Sequence, residues 1–221
     1  MFLLKKLKSA FIKKYSDKNV AYPGDYHRTF IEARERTINF GLEVDSISFK
    51  KQTFLSDMES ASKLAQVLSE FFIENNIRAD DVAGQCWRIN IFIKNFLEEH
   101  FGVPLVLTIG YIEDYPNFDY YKMTEAEIAT LLNSPMGHNG NCAANLHVWL
   151  TLPSMEILDV SFMTSFGKVN NKPELIGTVV YGPPEKLSTP NFNYKPMVLG
   201  EHFINRVGLN NAFIIIDSIQ E

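Results

Sequence analysis

Between residues 85 and 100 the chain places Ile89, Phe92, Ile93, Phe96 and Leu97 at i, i+3, i+4, i+7 and i+8. This spacing makes one continuous apolar stripe on a helix, and Gly102 with Pro104 reads as its stop. Cys86 lies three residues before Ile89, so the stripe reaches back to a thiol in the helix's first turn. A helix with one apolar face must bury it against another element. The segments 103–111, 146–152, 155–162, 177–181 and 212–216 have strand length and are rich in β-branched and aromatic residues. The helix is therefore expected to lie on a sheet, with Cys86 aimed at it.

An earlier helix is expected over 56–75. Ser56 with Glu59 forms a capping-box pattern, and Ala61, Leu64, Ala65, Leu68, Phe71 and Phe72 follow at helical spacing, ended by Asn75-Asn76. Thr124 with Glu127 predicts a short capped helix through Leu132, and 133–145 reads as a Gly- and Asn-rich loop. Two helices followed by successive strands predict an α+β fold with an antiparallel sheet. The stretch 16–54, broken by Pro23, Gly24 and Gly41, supports no assignment. The expected organisation is a helical and irregular N-terminal extension, 1–55, and a catalytic unit, 56–221, forming one compact body.

A net charge of −5 gives no basis for nucleic-acid binding. Two cysteines cannot build a disulfide framework, which points to a reducing compartment. The cytoplasm is expected, with delivery to another cell as an effector the alternative. No apolar run approaches the roughly 20 residues of a membrane-spanning helix. Residues 1–15 set Leu3, Leu4, Leu7 and Phe11 on one helical face, interspersed with Lys5, Lys6, Lys8, Lys13 and Lys14. Those lysines argue against a signal peptide. Docking on the chain's own domain or on a partner is favoured over contact with an anionic membrane.

The chemistry concentrates on three residues in chain order: Cys86, His147 and Asp159. The last two lie on apolar segments that read as one hairpin, twelve residues apart with Pro153 midway. A turn centred on Pro153 opposes His147 to Asp159, with Cβ atoms about 4.5–5.5 Å apart. The carboxylate then fixes the imidazole tautomer and turns the other ring nitrogen toward the thiol. A helix N-terminus favours a thiolate, and its unpaired N–H groups can hold an oxyanion. Gln85 and the backbone N–H of Cys86 are candidate oxyanion neighbours, and Trp87 and Trp149 candidate walls of the cleft. A thioester mechanism needs no cofactor.

Gly84-Gln85-Cys86-Trp87, His147 with Trp149 two residues on, and Asp159 in an apolar strand together resemble the transglutaminase-like branch of the papain-like cysteine protease superfamily. The resemblance spans roughly residues 56–165. It implies a papain-like core with Cys86 as nucleophile, His147 as general base and acid, and Asp159 as the orienting residue. It further implies a peptide, protein or small acyl or amide substrate. Arg88 departs from the apolar residue of the animal enzymes, and the chain has no room for their extra β-domains and calcium sites. Two other readings compete: a non-catalytic binding module on the same fold, and a zinc site built from Cys86, His138, Cys142 and His147. His138-x3-Cys142-x4-His147 matches no common zinc spacing. His27, His100 and His202 have no evident partner.

Overall fold

The computed structural model describes residues 26–209 apart from 45–47, 56, 115–117, 134–144 and 188–191. The expected basic helix at 1–15, the strand at 212–216, and most of the loop at 133–145 with His138 and Cys142 lie outside the described residues.

Three helices come first: α1 (Tyr26–Asn39), α2 (Met58–Glu74) and α3 (Cys86–Phe101). Then follow β1 (Val106–Asp114), β2 (Phe118–Tyr120), α4 (Glu125–Asn133), β3 (His147–Thr151), β4 (Ile157–Asp159) and α5 (Phe162–Val169). The described chain ends with β5 (Val180–Gly182), α6 (Pro184–Leu187), β6 (Asn193–Leu199) and α7 (Glu201–Arg206). The fold is α+β, with helices packed on an antiparallel sheet that curls into a half-barrel. Among the described residues, no helix is long and apolar enough to cross a membrane.

Local signals explain the helix ends. Gly102 adopts φ 64° and its amide bonds to Glu98 O, closing α3 with a left-handed residue that glycine takes without strain. The capping box of α2 sits one residue later than expected: Asp57 Oδ1 accepts from Ser60 N at 2.7 Å, and Ser60 Oγ accepts from Asp57 N at 3.3 Å. A carboxylate there also meets the positive end of the helix dipole. The Thr124–Glu127 box of α4 forms as expected.

β1 organises the sheet. One edge pairs with β3 through Val106–Gly110 and then with β2 from Ile112 onward, while the other edge pairs with β6. β4 and β5 extend the sheet beyond β3. The alternation of the strands sorts two cores. Leu107, Ile109, Val148, Leu150 and Leu158 meet α2, α3 and α7 on one face. Val106, Ile112, Trp149, Ile157 and Tyr194 meet Tyr26, Phe30 and Ala33 of α1 on the other. The residues of α1 fall within the expected 1–55 extension, and this helix packs along β6.

Two strand expectations change. The segment 155–162 yields only Ile157–Asp159 as strand, and Phe162 opens α5 instead. Gly167 fits inside that helix because a Cβ there would press on Lys172 O and Leu175. β6, unassigned from the sequence, carries Pro196 at an irregularity: Ile109 pairs with Val198 but Gly110 with Pro196. A bulge tolerates the missing N–H that would break a regular ladder.

Candidate active site

The helix that carries Cys86 starts from a tight turn. Gly84 has φ 69°, and its amide donates to Ser165 Oγ of α5 at 3.0 Å. Gln85 is the N-cap and makes no side-chain cap bond; its Oε1 accepts from Arg88 at 3.0 Å instead. The Arg88 guanidinium also lies 5.0 Å from the centre of the Trp87 ring, and Trp87 is buried in the helix-side core.

Cys86 is the first residue of α3 and 9% exposed. Its Sγ lies 3.7 Å from Leu146 O, and it is near enough to His147 to help raise the imidazole pKa. His147 opens β3 and points to the face of Trp149, whereas Cys86 belongs to the core on the helix side. The thiol therefore meets the imidazole around the beginning of β3, where the two cores adjoin. Asn90, one turn along α3 and fully buried, braces this junction. Its Nδ2 donates to Cys86 O at 2.7 Å and to Val148 O at 2.9 Å, while Oδ1 has no partner among the described residues.

The hairpin differs from expectation in register but not in consequence. Leu150 pairs with Leu158 and Thr151 with Ile157, so extending the register puts Asp159 across from Trp149 rather than His147. The loop is centred on Ser154, with Met155 at φ 68°, a three-residue connection whose last position is left-handed. A shift of two residues preserves which face each side chain occupies. Asp159 is thus diagonal to His147, and Oδ2 lies 2.6 Å from Nε2.

Asp159 is completely buried and richly solvated by protein. Oδ1 accepts from Ser161 N at 2.9 Å, Ser161 Oγ at 3.1 Å and Phe162 N at 3.0 Å, and Tyr194 OH donates to Oδ2 at 2.9 Å. Burial pushes its carboxyl pKa up, but the His147 ring and these donors outweigh it and hold the group below the usual range. Burial likewise opposes charge on His147, yet Asp159 and then Cys86 push its pKa up to about 10. With Nε2 committed to Asp159, Nδ1 is the nitrogen left for sulfur.

Aromatic rings set the imidazole plane. Trp149 stacks 5.9 Å from it, Tyr121 stacks 5.4 Å away, and Phe162 meets it edge-on at 5.5 Å. Trp149 is fully buried rather than lining an open cleft. Its Nε1 donates to Tyr26 OH at 2.8 Å, which contacts Thr151 Oγ1 at 2.7 Å, and Thr151 in turn contacts Thr108 at 2.7 Å. Burial raises the Tyr26 pKa well above its ordinary value. Gly110 pairs with His147, and a Cβ there would collide with the Trp149 ring and Lys195 O.

Among the sequence candidates, Cys86, His147 and Asp159 come together, and Gln85 and Trp87 flank the thiol. His27 packs on Phe49, His100 on Phe101, and His202 faces Glu43; none joins the site. No group of three His, Cys, Asp or Glu residues able to hold a metal ion occurs among the described residues. Asn90, Tyr194 and Tyr26 have no reading from the sequence, whereas Tyr121 closes the tyrosine-rich stretch 111–121, which reads as a solvated loop with a substrate-selecting rim as the alternative. Asn90 did carry a signal, being a polar residue four after Cys86 on an otherwise apolar stripe. Comparison with models of known protein families, with curated proteins and with solved structures gives no match.

Proposed function

We propose that the chain is a cysteine-dependent acyl-transfer enzyme of the transglutaminase-like, papain-like kind. The observation that carries this reading is the buried line from Cys86 through His147 to Asp159, ending in a hydrogen bond of 2.6 Å. The Gly84-Gln85-Cys86-Trp87 motif and an α+β frame with the thiol at a helix start support it.

Sγ attacks an amide or ester carbonyl as a thiolate paired with the His147 imidazolium, whose Nδ1 already carries the proton. The carbonyl π electrons move to oxygen, and the resulting oxyanion sits at the start of α3, where the Cys86 N–H is placed to donate. Collapse re-forms the carbonyl, breaks the bond to the leaving group, and sends the proton from Nδ1 to the departing amine or alkoxide. The acyl group is now a thioester on Cys86. Water attacks it while His147 receives one of its protons; collapse breaks the C–S bond, releases the acid and restores the thiolate–imidazolium pair. An amine in place of water gives a new amide.

Asp159 stays anionic and holds the ring in register. Iodoacetamide near pH 6, followed by mass spectrometry, tests the reading. Selective alkylation of Cys86 that His147→Ala abolishes is expected; a thiol reacting only above about pH 8, as an ordinary cysteine does, sinks it.

A further inference from the structure

The imidazole of His147 lies between two rings of different character. On one side is Trp149, fully buried and tied by its indole N–H to Tyr26. On the other is Tyr121, only partly buried, stacked at 5.4 Å and 24°. Its hydroxyl has no hydrogen-bond partner among the described residues. Trp149 is built in, whereas Tyr121 is held by ring contact and by its neighbours alone.

Those neighbours hold it in an unfavourable conformation. Tyr121 has φ 69°, the left-handed region that strains a non-glycine residue. Such outliers persist only where surrounding structure over-determines them, and they gather at functional sites. Here Tyr120 packs among Phe162, Phe166 and Phe192 just before it. Just after it, Lys122 O accepts from Asn145 Nδ2 at 3.0 Å, two residues ahead of His147. The backbone is pinned on both sides, and the ring lands over the imidazole. Burial, followed by the charges of Cys86 and Asp159, raises the Tyr121 pKa, which agrees with that position.

We infer that Tyr121 is the shutter of this site and its specificity-determining residue: an acyl group reaches the Cys86 sulfur by displacing the Tyr121 ring from the outer face of His147. This inference rests on the acyl-transfer reading above. The stack is broken without losing a side-chain hydrogen bond to any described residue, so the cost of opening is modest. Groups small enough to slip past the ring gain little from its removal, and bulky ones gain much.

The test is alkylation of Cys86 in the full chain at pH 6 by two reagents of one chemistry, iodoacetamide and a fluorescein-bearing iodoacetamide. Tyr121→Gly is expected to raise the bulky reagent's rate about tenfold or more and that of iodoacetamide less than about threefold. Tyr121→Phe, which keeps the ring, should keep the ratio of the two rates near the parent's. Glycine suits the positive φ, and Tyr121→Asn, which tolerates the same region, gives a second open variant. An unchanged ratio between the two reagents, or equal slowing of both, overturns the shutter. If the parent Cys86 ignores iodoacetamide at pH 6, the acyl-transfer reading fails instead. A reactive thiol with an unchanged ratio removes Tyr121 from this role and leaves that reading standing.

Discussion

Nε2 of His147 and Oδ2 of Asp159 lie 2.6 Å apart, with the imidazole side chain 3% exposed and the carboxylate fully enclosed. Breaking such a pair leaves one member buried and unmatched, so the two stabilise the fold as a unit. It also links stability to pH.

His147 holds its proton up to about pH 10 in the folded chain, against about 6.5 when unfolded. Its contribution is complete below about pH 6.5 and is lost as pH rises through about 10. Asp159 has the opposite sign: its contribution is present above the ordinary carboxylate range and disappears as pH falls through its lowered value. The thermal midpoint should therefore decline between pH 7 and 10, and His147→Gln should flatten that limb. Parallel limbs in parent and variant would exclude the pair as the source.

Tyr194→Phe removes one donor from Asp159 without opening a large cavity. A hydrogen bond to a charged group contributes about 1.5–3 kcal/mol, and urea denaturation at pH 7 should register a loss of that order. With fewer donors the carboxylate binds a proton more readily, so the acid limb of the stability curve should move to higher pH. A loss at pH 7 with an unmoved acid limb would mean packing alone is affected.

Gly110→Ala should destabilise by about 1–3 kcal/mol through overpacking, since the new methyl meets backbone at Lys195 and the ring of Trp149. Because Trp149 stacks on His147, the alkylation rate of Cys86 should fall as well. Chemical denaturation and labelling of the same preparation check both; a variant as stable as the parent would rule out the tight approach.

Asn90→Ala strips a partner from the carbonyls of both Cys86 and Val148. Each buried group left unsatisfied costs about 1–3 kcal/mol. The larger consequence concerns the site, since the brace joins the helix of Cys86 to the strand of His147. Labelling of Cys86 should slow by more than the loss of folded protein explains, measured under conditions where the variant remains fully folded.

What the chain revealed in advance followed physical regularity. The stripe from Ile89 to Leu97 defined α3 and set Cys86 at its first turn. Parity put His147 and Asp159 on one face even though the turn centre was misplaced, because a two-residue slip leaves faces unchanged. The misses have equally local causes. Pro196 disguised β6, since a proline is compatible with a strand only where a bulge or an edge excuses its missing N–H. The buried line of α1 is Tyr26, Phe30, Ala33 and Thr37, amid His27, Arg28, Glu32 and Arg34, too weak an apolar signal to stand out. Tyr194 and Tyr121 act through partners distant in sequence, and no local pattern announces a contact of that kind.

The placement of β6 bears on when the protein can begin to work. Thr108 pairs with Leu199, and Tyr194 reaches Asp159 from the same late strand. A chain emerging from the ribosome holds Cys86, His147 and Asp159 well before the strand that completes their setting. Pairing across so long a stretch raises the contact order, so assembly of the site should wait until β6 has emerged. A nascent chain stalled before residue 193 should carry an unreactive thiol.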